Sequence, residues 1–262
     1  MSRLIAVANQ KGGVGKTTTT INLAASLAKL GQRLLVVDMD PQGNLTSGVG
    51  QKSKAGERGT IYDALMQHDV ATDVGPFTIH TGIERLSLVP ADQHLTGAEI
   101  ELVPLPHRDE RLRTLLASVR DNYDVILIDC PPSLGLLTLN ALVAADAVLI
   151  PLHCEYFALE GLADLIGTIR RVRAALNPSL DIEGVLLTMF DERTNLGQQV
   201  ANDVRGFFKQ KVFRTVIPRN VRLGEAPSHG MPVLLYDPRS RGAEAYMALA
   251  REVLERRSAT VA

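Results

Sequence analysis

A short apolar run leads directly into a loop rich in glycine and lysine, and this junction constrains the fold more than any other feature. Leu4–Ala8 has the pattern of a buried strand, residues 11–18 read KGGVGKTT, and a helical pattern begins at Lys16. Glycines let a backbone turn tightly and direct several N–H groups at one anion, and a helix N-terminus adds a positive dipole end. The order strand, loop, helix therefore predicts a phosphate-binding loop in an α/β fold.

The loop residues have separable predicted roles. Lys16 is placed to reach the outer phosphates of a nucleotide, and the Thr17 hydroxyl is placed to coordinate Mg²⁺ directly. The usual pattern has glycine where this chain has Gln10, and a second lysine, Lys11, follows it. A lysine at that position cannot easily fold back beside Lys16, so we expect it to point away from its own subunit. The predicted phosphate-binding loop comprises Lys11, Gly12, Gly13, Val14, Gly15, Lys16, Thr17 and Thr18, which become the predicted ATP-binding residues through the resemblance described below.

The rest of the chain alternates apolar runs with helical patterns. The predicted strands are Leu4–Ala8, Leu34–Asp38, Leu86–Val89, Val125–Asp129, Ala147–Pro151, Gly184–Met189 and Val212–Ile217. The predicted helices are Lys16–Leu30, Arg108–Arg120, Leu136–Ala144, Ala158–Leu176, Asn195–Lys209 and Ala243–Arg257. Strands that are apolar throughout and separated by helices predict a doubly wound α/β fold, with a mainly parallel sheet covered by helices on both faces. We expect residues 1–262 to form one domain, with ligands beyond the carboxyl ends of the strands.

Acidic residues end two of the predicted strands. Asp38 and Asp40 are two positions apart, so their side chains share one face, and both can approach a Mg²⁺–phosphate group. Asp129 follows four apolar residues, as in a Walker B strand, and would hold a Mg²⁺-bound water. The cofactors predicted from the loop and these acids are ATP and Mg²⁺.

The loop resembles that of the deviant Walker ATPases of the ParA/MinD family, whose pattern K-G-G-x-G-K-[ST]-[ST] is met by residues 11–18. The resemblance implies an ATP-dependent homodimer in which two protomers enclose two ATP molecules. It implies that Lys11 crosses to the partner's nucleotide and stabilises developing negative charge, as an arginine finger does. Asp40 would orient the attacking water. Asp38 would sense the γ-phosphate and, like Asp129, contact the metal through water.

Further blocks extend the likeness from about residue 3 to residue 257 and favour the ParA branch, the type called Soj. They lie at 90–91, 95–102, 155–161, 183–189, 216–223, 225–230 and 236–243. The resemblance implies a DNA-segregation ATPase whose dimer binds double-stranded DNA without sequence preference and whose hydrolysis a ParB/Spo0J-type partner stimulates. It also places the adenine near Met189, Pro218 and Asn220. Because the first strand begins the chain, we expect no N-terminal helix-turn-helix extension.

Charge bears directly on the DNA prediction. The chain has 28 Lys+Arg and 29 Asp+Glu, which excludes a general polycation. Residues 193–241, however, hold nine basic and three acidic residues, a net charge of +6. A patch of this kind suits phosphate contacts that are independent of sequence and sensitive to salt. Motif positions make Arg193 and Arg222 the best predicted DNA contacts, with Arg219 next.

Three other functions share parts of this pattern. A MinD-like division-site regulator needs an amphipathic membrane helix, whereas residues 244–257 mix acids and bases without Phe or Trp. A small-molecule kinase or synthetase on the same fold would be unaffected by DNA. An iron–sulfur reductase would need cysteines in particular flanking motifs, which Cys130 and Cys154 lack. With no signal peptide or long apolar span in the sequence, we expect a cytoplasmic protein without membrane association, on the nucleoid when ATP is bound.

Overall fold

A seven-stranded sheet organises the computed structural model, which describes residues 2–67, 73–155 and 158–261. Its order is β3-β4-β2-β5-β1-β6-β7, and only the β3–β4 pair is antiparallel. The strands are β1 (Arg3–Val7), β2 (Leu34–Asp38), β3 (Ile79–His80), β4 (Leu86–Val89), β5 (Val125–Asp129), β6 (Ala147–His153) and β7 (Asp181–Thr188). Tyr156 and Phe157, from the block at 155–161, lie outside the described residues.

Helices cover both faces of this sheet. They are α1 (Lys16–Lys29), α2 (Asn44–Gly48), α3 (Ile61–Met66), α4 (Leu95–Glu101), α5 (Arg111–Ala117), α6 (Leu136–Ala144), α7 (Ala158–Ala175), α8 (Asn195–Phe208), α9 (Val221–Glu225), α10 (Val233–Tyr236) and α11 (Arg241–Val261). Alternate strand residues feed two cores: Leu35 packs with α5–α8, and Leu34 packs with α1 and α11. Burial on both faces explains why the strands are apolar throughout. The predicted fold class is confirmed.

The prediction of a strand at Val212–Ile217 is wrong. These residues, all described, follow the edge of β7 without forming a regular strand: Phe213 N donates to Val185 O at 2.9 Å, and Ile217 N donates to Leu187 O at 2.9 Å. Between them, the backbone N–H groups of Arg214 and Thr215 donate instead to the buried carboxylate of Glu252 on α11. The ladder is therefore interrupted, because two of its donors are used by a helix.

Several short elements escaped the sequence patterns. Strand β3 has two residues, and α2, α3, α4, α9 and α10 have four to seven. The predicted helix Arg108–Arg120 is shorter in the structure, where α5 has seven residues. Elements of this length show too little periodicity to be distinguished from loops.

The predicted site lies where the direction of strand succession reverses. The chain leaves β1 through α1 to reach β2 on one side, while β6 and β7 lie on the other side. The loop after β1 is therefore flanked by the carboxyl ends of β5 and β6, which pair with β1 on either side. In open α/β sheets such a switch point is where ligands bind.

Candidate nucleotide-binding site

The loop between β1 and α1 presents backbone N–H groups to solvent. Gly13 and Gly15 have φ values of 71° and 87°, a left-handed conformation that favours glycine. Gly15 is the N-cap of α1, and no described side chain caps the first turn. Gly12 is exposed and Val14 is buried, with the Val14 carbonyl accepting a hydrogen bond from Thr188 at 2.8 Å. The loop is thus anchored to β7 and open to an anion at the helix N-terminus.

Lys16 lies over this loop. Its residue is 6% exposed, and Nζ donates to the Lys11 carbonyl oxygen at 3.1 Å. Burial lowers the pKa of Lys16, while the negative charges of Asp129 and Asp40 act to raise it. The ammonium therefore lies within electrostatic reach of both acids. Thr17 and Thr18, the next two residues of α1, are half-buried.

Asp129, the last residue of β5, is fully buried below the loop. Its Oδ1 accepts a hydrogen bond from Thr20 Oγ1 at 3.0 Å, and Oδ2 has no hydrogen-bond partner among the described residues. Burial and the neighbouring Asp38 raise its pKa, and the hydroxyls of Thr17 and Thr20 act to lower it. A buried carboxylate with one unused oxygen, beside a hydroxyl, fits a hard cation that prefers oxygen ligands.

The residues around Asp129 fit Mg²⁺ better than a cation held by protein ligands alone. Among the described residues, no group of three or more His, Cys, Asp and Glu side chains is arranged to hold a metal ion. Mg²⁺ is usually held by one or two protein groups, with waters and substrate phosphates as the remaining ligands. The Thr17 hydroxyl and the Asp129 carboxylate are groups of that kind.

Asp38 and Asp40 meet Asp129 at the same sheet edge. Asp38 is the register partner of Asp129 on the adjacent strand and is fully buried. Its Oδ2 accepts from Thr46 N at 2.9 Å and Thr46 Oγ1 at 2.7 Å, and Oδ1 accepts from Asp40 N at 3.2 Å. Asp40 is 7% exposed, and its Oδ1 accepts from Gln42 N at 3.0 Å. Asp38 is thus bound into the turn after β2, which orients Asp40.

Lys11 was expected to point away from its own subunit, but here its side chain leaves the phosphate loop and forms an ion pair within the same protomer. The Lys11 N–H donates to Asn9 Oδ1 at 3.0 Å, and Asn9 Nδ2 donates to Pro151 O on β6 at 2.7 Å. The Lys11 ammonium lies 2.8 Å from Glu155 Oε2, just beyond the end of β6. The other carboxylate oxygen of Glu155, Oε1, lies 3.0 Å from His153 Nδ1. The first residues of the loop are therefore tied twice to the end of β6.

The residues predicted near the adenine share one edge of the molecule. Met189 directly follows β7 and has φ 49°, an unusual value for a residue other than glycine. The next residue, Phe190, forms a parallel bridge with Pro218. Asn220 begins α9, and its Oδ1 accepts from Arg222 N at 2.9 Å. Met189 and Pro218 are thus brought together beside the end of the phosphate loop that Thr188 anchors. The side-chain carbonyl oxygen of Asn220 caps the N-terminus of α9.

Two of the predicted DNA contacts share an acidic neighbour. Arg193 is highly exposed and binds Asp191 through two nitrogen atoms, at 2.9 and 2.7 Å. The Arg193 guanidinium, with a smaller effect of Arg219, holds the pKa of Asp191 well below its usual value. Arg219 is exposed, and its backbone N–H donates to Phe190 O at 3.4 Å.

Arg222 lies on α9 between two acids. Its Nη1 is 2.7 Å from Glu225 Oε2, and its Nε is 3.3 Å from Asp237 Oδ2. Half of its side chain is exposed. The ion pair with Arg222 lowers the pKa of Glu225. Each arginine with a predicted DNA contact is therefore exposed, and Arg193 and Arg222 are held by surface carboxylates.

Three residues that contact predicted site residues were not predicted from the sequence: Thr20, Thr46 and Glu155. Thr20 lies one helical turn after Lys16, and this spacing was the available signal that it faces the sheet. Thr46 and Glu155 carried no chemical pattern of their own, although Glu155 begins one of the blocks noted above.

This fold and this site define a P-loop nucleoside triphosphatase with two lysines in its phosphate loop. Residues 2–182 match the family model described as "AAA domain". The chain is 58% identical to the sporulation initiation inhibitor protein Soj of Bacillus subtilis, over 97% of this chain and 98% of that protein. It is 56% identical to the chromosome partitioning protein ParA of Myxococcus xanthus, over 98% and 89% of the two chains. The chain belongs to the Soj/ParA family of chromosome-partitioning ATPases.

A solved structure extends the comparison to ligands. The crystal structure of cobyrinic acid a,c-diamide synthase from Mycobacterium smegmatis, with bound ATP analog and magnesium, has a TM-score of 0.84 and 36% identity to this chain. The match covers 97% of this chain and 94% of that one.

Three further sequence features bear on the alternative functions: the absence of a long apolar span, the C-terminal helix and the two cysteines. No helix in the described parts of the chain is long and apolar enough to cross a membrane. Helix α11 buries Tyr246, Leu249 and Val253 against the core that includes α1. Cys130 and Cys154 are both buried, and burial raises the pKa of the Cys154 thiol to about 11.

Proposed function

We propose that this partition ATPase acts as an ATP-dependent sandwich homodimer on double-stranded DNA, and that a ParB-type partner stimulates hydrolysis and release. The observation that carries the proposal is the direction of Lys11, whose ammonium leaves its own loop and lies 2.8 Å from Glu155 beyond β6. The ammonium is thus not used on the phosphate loop of its own protomer, and because its ion pair with Glu155 lies at the surface it can be exchanged for a second protomer's nucleotide. The identity to proteins named Soj and ParA supports the same assembly.

ATP and Mg²⁺ are the proposed cofactors. The open N-terminus of α1 and the Lys16 ammonium would bind the phosphates. Thr17 would hold the metal directly, with Asp129 and Asp38 acting through water. The unused Oδ2 atom of Asp129 supports this assignment. Bound Mg²⁺ would neutralise charge on the phosphate oxygens.

Hydrolysis is assigned to three side chains. Asp40 would orient the attacking water, since its carboxylate is fixed by the turn after β2 and lies within electrostatic reach of Lys16. Lys16 would stabilise charge on its own nucleotide, and Lys11 would do so on the partner's nucleotide. Met189, Pro218 and Asn220 would border the adenine, and the strained backbone of Met189 supports a functional constraint there.

DNA binding is assigned to Arg193, Arg219 and Arg222. All three are exposed within the segment 193–241, whose net charge is +6. Phosphates would replace Asp191 and Glu225 as partners of these arginines. Surface ion pairs contribute roughly 0–1 kcal/mol, so the exchange costs little. The resulting binding would be independent of sequence and would weaken as salt rises.

A small-molecule synthetase is the second candidate, because the solved structure at 36% identity is named as one. The two candidates differ in what changes the ATPase rate. A synthetase acts on a dissolved substrate and is indifferent to DNA. A partition ATPase responds to DNA and to its protein partner.

The deciding experiment is DNA binding by the Asp40→Ala protein across a salt series, with ATP, with ADP and without nucleotide. We expect retention on unrelated DNA sequences with ATP only, falling steeply as salt rises. Binding that ignores the nucleotide, or that requires one sequence, contradicts the proposal. In cells, a fluorescent fusion of the same variant should be cytoplasmic and lie on the nucleoid.

A further inference from the structure

The Lys11–Glu155 ion pair is a contact within one protomer that occupies the lysine proposed to act on the other. Both partners are near the surface, with 35% of the Lys11 side chain and 50% of the Glu155 side chain exposed. The Lys11 ammonium lowers the pKa of Glu155, which keeps this carboxylate ionised at neutral pH. To reach a phosphate bound to another protomer, the Lys11 ammonium would have to leave its 2.8 Å contact with the Glu155 carboxylate.

The two carboxylate oxygens of Glu155 lie close to two different side chains. Its Oε2 faces Lys11 and its Oε1 faces His153 Nδ1, so each oxygen has its own partner. The Glu155 N–H also donates to the His153 carbonyl oxygen at 2.8 Å, which closes a tight turn at the end of β6. Glu155 therefore meets Lys11 from a site set by the sheet, independent of the phosphate loop.

We propose that Glu155 is a positioning residue that retains Lys11 within its own protomer and thereby opposes nucleotide-dependent dimerisation. The proposal rests on the proposed role of Lys11 at the partner's nucleotide. Exposed ion pairs are weak enough for a bound nucleotide to displace them. The contact thus weakens dimerisation without preventing it. Two such contacts, one in each protomer, must break for each dimer that forms.

The size of the effect follows from the exposure of the pair. Loss of one exposed ion pair changes an equilibrium about two- to fivefold. Because each dimer releases two lysines, Glu155→Gln should lower the dimer dissociation constant about 4- to 25-fold. Binding of ATP to the monomer should not change. In the described residues, the side chain of Glu155 pairs with Lys11 and His153 and not with Lys16 or Thr17.

The test uses the full chain carrying Asp40→Ala, so that ATP is not consumed. Sedimentation velocity over a range of protein concentrations, with ATP and Mg²⁺, gives the dissociation constant with and without Glu155→Gln. Glu160→Gln is the matched control, since it removes the same charge from an exposed position on α7. We expect tighter dimerisation for Glu155→Gln only. An unchanged or weaker dimer, with an unchanged melting temperature, overturns the proposal.

A second pair of variants tests the role of Glu155 separately from the proposed role of Lys11 at the partner's nucleotide. Lys11→Ala should weaken the dimer, and adding Glu155→Gln to it should have no further effect. If Lys11→Ala leaves both dimerisation and hydrolysis unchanged, the role of Lys11 at the partner's nucleotide is wrong. If Lys11→Ala weakens the dimer but Glu155→Gln tightens it equally in both backgrounds, Glu155 does not act through Lys11.

Discussion

Lys16 Nζ lies 3.1 Å from the backbone carbonyl oxygen of Lys11, so the two lysines of the phosphate loop are joined, while their ammonium groups have different partners. Lys16 is buried, and the charges of Asp129 and Asp40 act on its ammonium group. Lys11 extends towards Glu155 at the end of β6. Because the two ammonium groups have different surroundings, replacing each should produce a different defect.

Lys16→Ala should abolish measurable ATP binding. The substitution removes a buried ammonium at the N-terminus of α1, on which the charges of Asp129 and Asp40 act. Hydrogen bonds to charged groups contribute about 1.5–3 kcal/mol each, so the loss of two or more bonds to phosphate should lower the affinity for ATP about a hundredfold or more. Titration with a fluorescent ATP analogue measures this. Lys29→Ala, at the exposed end of α1, is the control; affinity retained in Lys16→Ala would count against the phosphate-loop assignment.

Asp40→Ala should bind ATP and dimerise without hydrolysing it. Its Oδ1 accepts from Gln42 N, and no hydrogen bond joins its carboxylate to α1 in the described parts of the chain, so nucleotide binding should survive. Loss of a positioned group that acts on a proton or water typically costs about 10²–10⁴-fold in rate. Phosphate release and sedimentation measure the two properties. Asp121→Ala, at an exposed position, should behave as wild type. A monomeric or fully active Asp40→Ala protein would refute the water-positioning role.

Arg222→Glu should dimerise with ATP and lose DNA. The change places a carboxylate beside Glu225 and Asp237, which turns a cationic position into a cluster of three acids. Removing one phosphate contact should also lower the salt slope of binding by about one. Retention on DNA across a salt series tests this, with Arg251→Glu on the exposed side of α11 as the control. Equal loss of DNA in both variants would indicate a general charge effect.

Much of the fold was predictable because β1, β2, β4, β5, β6 and most of β7 are buried on both faces. Their residues must then be apolar throughout, and such runs stand out between helical patterns. The phosphate loop was predictable for a different reason: its chemistry needs glycines and a lysine at fixed spacing after a strand. Both signals are local in the sequence, so neither required knowledge of distant contacts.

The remaining parts of the site depend on distant contacts. Glu155 meets Lys11 across 144 residues, and Thr46 meets Asp38 through the turn after β2. Charge counting had the same limit, because Asp191 lies just outside the basic segment and pairs with Arg193 inside it. A count by segment gives the net charge of a region, but only the folded chain shows which charges are already paired.

The wrong strand at 212–217 has the same origin. Its residues are apolar enough to pair with β7, and Phe213 and Ile217 do so. Glu252 lies 38 residues after Arg214 and 37 after Thr215, and its carboxylate accepts hydrogen bonds from the backbone N–H groups of both. No local pattern indicates that a helix carboxylate replaces a strand as the acceptor.

Glu252→Ala should destabilise the protein strongly, because the variant leaves the two N–H groups of Arg214 and Thr215 without their acceptor. Its Oε1 also receives Arg256 Nη2 at 2.8 Å. Removing one partner of a buried, charged hydrogen-bond network typically lowers the free energy of unfolding by about 2–5 kcal/mol. Glu255→Ala is the matched control: Glu255 is 64% exposed and pairs only at the surface with Arg214, so its loss should cost about 0–1 kcal/mol. Urea unfolding of both variants measures the difference, and equal losses would refute the role of Glu252.

The Glu252 effect should also depend on pH in a defined direction. Burial raises the pKa of Glu252, but hydrogen bonds from Arg214 and Thr215 N–H and the charge of Arg256 outweigh burial and lower it below the usual value of 4.5. A carboxyl whose folded pKa is depressed stabilises the fold above its unfolded pKa, and that stabilisation is lost as pH falls through the folded pKa. The difference in unfolding free energy between wild type and Glu252→Ala should therefore be constant near pH 7 and shrink below about pH 4.5. A difference that grows on acidification would contradict the proposed ionised state of Glu252.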